Sequence, residues 1–187
     1  MKFTLYLISI SFCISQSFTT EKLIYEINFR VFNAGEAIFE TKLDTLNKNE
    51  VYKITSTTKT NKFLDKIYKI RDVVELWVNK NDFSLLKTQK KIHQGKYKRN
   101  FSATIDQKKA IAIFDNKEIK IAPKVFDPIG AIFYYRTLNF DEKNNYSFTS
   151  FENGKTQEIS INISKTEVIK TPLGNFNCYV LQPFSKK

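Results

Sequence analysis

Few residues in this chain could do nucleophilic, metal or acid–base chemistry. There is one histidine, His93, and there are two cysteines, Cys13 and Cys178. A Ser–His–Asp or Cys–His arrangement would need that single imidazole as its base. His93 stands among Lys90, Lys91 and Lys96, beside a predicted hairpin tip and far in sequence from Cys178, and reads as a surface residue. One histidine and the one cysteine left after removal of the leader do not build a typical zinc site, and no acidic loop has the spacing of a calcium hand. All five glycines are isolated, so no phosphate loop is present. Asp65 with Asp72, and Asp141 with Glu142, are the carboxylate pairs. Such pairs catalyse only when the fold sets them across a cleft; otherwise they are solvated loop acids. No catalytic residue, metal ligand or cofactor is assigned.

Charge is more distinctive. The 187 residues carry 30 Lys+Arg against 19 Asp+Glu, a formal charge of +11. Between Ser84 and Thr104 there is no acid, while Lys87, Lys90, Lys91, Lys96, Lys98 and Arg99 fall within thirteen residues. Tyr97 and Phe101 interleave with them. A patch of this kind suits anionic lipid headgroups, acidic glycan or nucleic acid, and the export signal described below sets nucleic acid aside. The other reading is a solvated face, since lysines protect exposed strands from edge pairing and lysine outnumbers arginine 26 to 4 throughout the chain.

The elements that must position these residues are mostly strands. Leu23, Tyr25, Ile27, Phe29 and Val31 alternate with polar residues broken only by Ile24, the pattern of a half-buried strand. Asn33-Ala34-Gly35 suggests a turn, and Ala37, Phe39, Thr41 and Leu43 continue on one face. Val51 to Thr60 is β-branched and Thr-rich. Tyr68, Ile70, Val74, Leu76 and Val78 share a parity with Asp72, which needs either a bulge or a partner. Ser84–Ile92 and Lys96–Ile105 form a hairpin about Gln94-Gly95, and a shorter pair flanks Asn116-Lys117. Asp127-Pro128 has the form of an N-cap followed by proline at the first helical position, which predicts one short helix over 128–137. Strands return at Tyr146–Phe151 and Thr156–Ile169 around Asn153-Gly154, a strong hairpin signal. Thr171-Pro172-Leu173-Gly174 reads as a turn into a last strand from Phe176. The expectation is an all-β chain of about ten antiparallel strands, closed as a barrel or rolled onto itself. Its 17 Phe and nine Tyr serve as core or line a ligand cavity.

Met1-Lys2 followed by the apolar run Phe3–Ile14 and the small Ser15 and Ser17 reads as a secretory signal peptide. The run is too short for a comfortable membrane anchor. Cleavage is expected after Ser17, with Ser15 as rival. Lipid attachment at Cys13 is disfavoured by the bulky Phe12 before it. Cys178 is then the only cysteine of the mature chain, so no internal disulfide forms and it reads as a small buried strand residue.

Phe126-Asp127-Pro128 through Phe133-Tyr134-Tyr135-Arg136-Thr137, with Lys170–Phe176, Asn33–Ala37, Ile67–Asp72 and Gln94–Tyr97, resembles the DUF3108 family of exported Gram-negative envelope proteins. The likeness runs from about residue 22 to 184. It implies a periplasmic, β-rich protein and supplies no activity. Gly35, Asp127, Pro128, Tyr134, Tyr135, Arg136, Thr171, Pro172 and Gly174 carry it, and each has a structural explanation in turns, the helix cap or packing; Arg136 is expected to pair with an acid near the helix end. Relatives continue for several strands beyond the segment matching Phe176–Pro183, which suggests a C-terminal truncation here. The domain expectation is a leader over 1–17 and a single β-rich unit over 18–187. The functional expectation is a soluble periplasmic, non-catalytic module binding an anionic envelope lipid or glycan, or an envelope protein. The alternatives are a barrel-type carrier of an apolar ligand and a carboxylate-dependent hydrolase of envelope polymers.

Overall fold

The computed structural model describes residues 20–29, 32–138, 140 and 146–185. The expected leader with Cys13, residues 30–31, and Asp141 with Glu142 lie outside the described residues. Eleven strands and one α-helix follow in the order β1 (Thr20–Phe29), β2 (Phe32–Leu46), β3 (Asn49–Thr60), β4 (Arg71–Asn79), β5 (Leu85–Gln94), β6 (Tyr97–Asp106), β7 (Ile111–Phe114), β8 (Lys117–Lys120), α1 (Pro128–Tyr135), β9 (Tyr146–Glu152), β10 (Lys155–Thr171) and β11 (Gly174–Phe184). A single 3₁₀ turn, Leu64–Lys66, links β3 to β4.

Strands β1 to β8 pair in sequence order into one antiparallel meander, and β11-β10-β9 form a second sheet. Of the two architectures expected, the rolled sheet is the one present. The barrel does not close, because β1 and β8 stand at opposite ends of the order instead of pairing. Tight turns set the register. Asn47-Lys48, Asp115-Asn116 and Asn153-Gly154 each place two consecutive residues at positive φ, the geometry that matches strand twist in two-residue hairpins. Asn33-Ala34-Gly35 is not a turn; it lies inside β2, next to a register shift at Ile27/Asn28. Gly35 is required there by close approach, since a Cβ would meet the Lys59 carbonyl oxygen and lie 2.9 Å from Thr60 Cα.

The inner face of the meander carries Ile54, Leu76, Val78, Leu85 and Ala112, all fully buried. Two things cover it. Helix α1 lies over β2–β4, with Gly130 within 3.6 Å of Val78 Cγ1 at its Cβ position and the Phe133 ring 6.3 Å from that of Phe39. From the second sheet, Phe151 packs its ring 6.5 Å from Phe101 and 6.4 Å from Phe114. Val125 and Phe126 stitch the layers, through Leu85 N–H to Val125 O at 2.8 Å and Phe151 N–H to Phe126 O at 2.8 Å. Further along, the β10–β11 ribbon is more exposed, with Val168, Ile169, Phe176 and Tyr179 open to solvent.

Candidate binding surfaces

The helix is the first candidate. Eight residues do not hold a helix in water by themselves, so α1 depends on its anchors. Asp127 caps it as its sequence predicts: Oδ1 accepts from Ile129 N–H at 3.0 Å, and Pro128 occupies the first turn. The other carboxylate oxygen meets Lys90 Nζ at 2.7 Å, an ion pair in contact without the alignment of a hydrogen bond. Both side chains are interior, 8% and 1% exposed. Burial pushes the Asp127 carboxyl above its ordinary value, against the pull of Lys90. Glu152 approaches the same ammonium at 3.7 Å from the surface. At the other end Arg136 closes α1 and donates both terminal nitrogens to Glu21 of β1, at 2.8 and 2.7 Å. This is the acid expected for Arg136. The helix ends two residues before the expected Thr137, since Arg136 and Thr137 form the closing turn.

Tyr134 and Tyr135 are packing residues in this arrangement. The Tyr134 ring lies tilted against Phe126 with centroids 5.2 Å apart, and Lys124 Nζ lies 5.4 Å from both rings. Tyr135 is buried among Phe140, Tyr146 and Phe148. Burial, with Tyr134 and Tyr146 adding to it, pushes its phenol up to about 12, so it stays neutral. Thr171, Pro172 and Gly174 close the β10–β11 hairpin: Thr171 Oγ1 accepts from Leu173 N–H at 3.1 Å and donates to Gly174 O at 3.1 Å. Gly174 sits at φ +128°, where L side chains are strained.

The basic segment does not form one patch. Strand geometry splits it, because alternate residues face opposite sides. Lys87, Lys91 and Lys98 share the outer face of the meander with His93, which is the register partner of Lys98. Lys96 is at the exposed turn between β5 and β6. Lys90 points inward to Asp127, and Arg99, opposite Ile92, lies toward the inner side over Phe101 at 5.5 Å. Among the described residues, no carboxylate pairs with Lys87, Lys91, Lys96 or Lys98.

The outer face has a second feature that the sequence reading missed. Lys42, Lys53, Trp77 and Lys87 align in register across β2 to β5. The Lys53 and Lys87 ammonium groups each lie 4.6 Å from the Trp77 ring. The indole N–H donates to Asp44 at 3.0 Å. Trp77 is only 8% exposed on a solvent-facing side of the sheet, covered by lysine stems. Its odd parity with Glu75 and Val73 was the signal that could have placed it.

The carboxylates are engaged individually. Asp65 is held by Arg71 at 2.9 and 2.5 Å and by Thr60 at 2.6 Å. Asp72 has the partner its apolar parity required: it accepts from His93 N–H at 2.9 Å and from the Gln94 amide at 2.6 Å. Cys178 lies on β11 as expected but is half-buried instead of buried, because that ribbon is largely open to solvent; its thiol is 3.6 Å from Phe176 O. Among the described residues no group of three or more His, Cys, Asp or Glu is placed to hold a metal ion.

An open, rolled meander capped by one pinned helix and a second small sheet defines an all-β protein whose ionic contacts mostly serve architecture. The chain matches the family described as "Protein of unknown function (DUF3108)" over residues 24–187, nearly its whole length, and belongs to it. No curated protein and no solved structure matches the chain.

Proposed function

We propose that this protein is exported to the periplasm and works there as a soluble, non-catalytic binding module for an anionic component of the envelope. The observation that carries the reading is the set of four outward or turn lysines, Lys87, Lys91, Lys96 and Lys98, with no carboxylate partner among the described residues. Like charges held on one rigid sheet face raise the local concentration of anions. Among the described residues no helix is long and apolar enough to cross a membrane. The leader over 1–17 supports export. Against the carrier alternative stands the inner face, occupied by Ile54, Leu76, Leu85 and Phe151 with no residual exposure. The hydrolase alternative needs two acids converging on one cleft, whereas Asp65 and Asp72 are each spent on a separate hydrogen-bonded cluster.

The test is retention of the purified chain on vesicles containing phosphatidylglycerol and on an acidic glycan matrix. Parent protein is expected to be retained at low salt and released as salt rises. Replacement of Lys87, Lys91, Lys96 and Lys98 by Gln is expected to abolish retention. Equal retention of the variant, or none by the parent, overturns the reading and leaves an envelope protein as the partner to seek.

A further inference from the structure

The turn of the β9–β10 hairpin comes back beside β6 and leaves a cavity of about 400 Å³ lined by Arg99, Ser150, Glu152, Asn153, Lys155 and Gln157. This falls within the size range of small-ligand sites. The register explains the grouping. Glu152 pairs with Lys155 and Ser150 with Gln157, so these four share one face of the hairpin. Arg99 reaches the same space from β6.

Five of the six lining side chains can donate, two of them as cations. Among the described residues, none makes a side-chain hydrogen bond or ion pair with Arg99, Ser150, Asn153, Lys155 or Gln157. The Arg99 guanidinium only lies over the Phe101 ring. Ser150 is nevertheless buried, at 6% exposure. Glu152 is the one acid, 56% exposed, and it is turned toward Lys90 at 3.7 Å. Two uncommitted cations and three neutral donors about one recess suit a group with more than one negative charge and three or four acceptor oxygens. Phosphate meets that description better than a carboxylate, and arginine with neutral donors is its usual recognition set.

We propose that this cavity binds a phosphate monoester, either free or as the headgroup of a lipid. The proposal rests on the anion-binding reading above only for the charge of the ligand, because none of its residues belongs to the outer-face set. The experiment is calorimetric titration of the full chain with inorganic phosphate and pyrophosphate, alongside binding of the full chain carrying Gln at Lys87, Lys91, Lys96 and Lys98 to vesicles containing phosphatidic acid. Saturable binding is expected for the parent. The Arg99→Gln/Lys155→Gln variant is expected to weaken it by about tenfold or more, and Glu152→Gln to tighten it a few-fold by removing the one like charge. Gln at Lys87, Lys91 and Lys98 leaves phosphate binding unchanged, which separates failure of this site from failure of the outer face. In the chain lacking the outer-face lysines, binding of pyrophosphate without vesicles identifies a free ester as the source, and binding of both identifies a lipid headgroup. No saturable phosphate binding by the parent, or equal affinity in the parent, the double variant and Glu152→Gln, overturns the proposal.

Discussion

Lys90 and Lys91 are neighbours in the chain and occupy opposite circumstances. Lys91 stands on the outer face of β5, exposed and with no carboxylate partner among the described residues. Lys90 stands on the inner face, closed over by α1 and β9, with its ammonium against Asp127. One step along a strand thus converts a solvated charge into a structural one. The energetic consequence differs in kind. Removing a surface lysine takes away a weak, screened interaction. Removing either member of the inner pair leaves a charge in the interior without its counter-ion.

The sharpest way to break this contrast is Asp127→Ala. It removes both the helix cap and the partner of Lys90. The expected loss is about 3–5 kcal/mol, read by urea unfolding. A double replacement, Lys90→Met with Asp127→Leu, is expected to recover most of it, since neither charge is then buried. If Asp127→Ala costs no more than an exposed acid would, the inner pair has no structural role.

The second anchor of α1 sharpens the comparison at an intermediate level. Arg136 and Glu21 are partly exposed, at 37% and 26%, so solvent screens them. Arg136→Gln is expected to cost about 1 kcal/mol or less, with the loss shrinking in high salt. A salt-insensitive loss as large as that of Asp127→Ala would erase the distinction between the two helix ends.

Smaller still is the effect of the outward lysines on folding. Gln at Lys91, Lys96 or Lys98 is expected to change stability by less than about 0.5 kcal/mol each, while their joint replacement together with Lys87, which also covers Trp77, removes anion retention. A marked fall in melting temperature for Lys91→Gln would mean that the outer face is structural as well.

The smallest effect is confined to acid. Arg71, then Thr60, hold the Asp65 carboxyl below its ordinary value of 3.8. A depressed carboxylate contributes stability that is complete above that value and is lost as pH falls through the lower, folded-state one. Asp65→Asn is therefore expected to show a flatter fall in melting temperature below about pH 4 than the parent. Superimposable acid limbs would count against this cluster.

Much of the fold is legible in the sequence because period-two patterning and turn chemistry are local. Asn153-Gly154 and Asp127-Pro128 each require only their own neighbours, and each is where the pattern puts it. The boundary of α1 was less legible, since Arg136 and Thr137 have no sequence mark separating a last helical turn from a closing one. Asn33-Ala34-Gly35 has turn-forming residues yet runs as strand, because Gly35 answers to β3 alongside it, a constraint from 24 and 25 residues away at Lys59 and Thr60. The candidate surfaces were half legible. Composition marks the lysines, and parity alone separates Lys90, with Thr88 and Ile92, from Lys87 and Lys91.

By itself, then, the sequence determined the strand alternation, the tight turns, the helix cap and the positive charge, all properties of residues within a few positions of one another. Tertiary structure decided that the sheet stays open, that Lys90 meets Asp127, that Arg136 meets Glu21 across 115 residues, and that Arg99 faces the β9–β10 hairpin. The physical reason is that these depend on which layer covers which face. That choice is made by the packing of Phe133, Phe151 and their neighbours over the meander, and no local pattern encodes it.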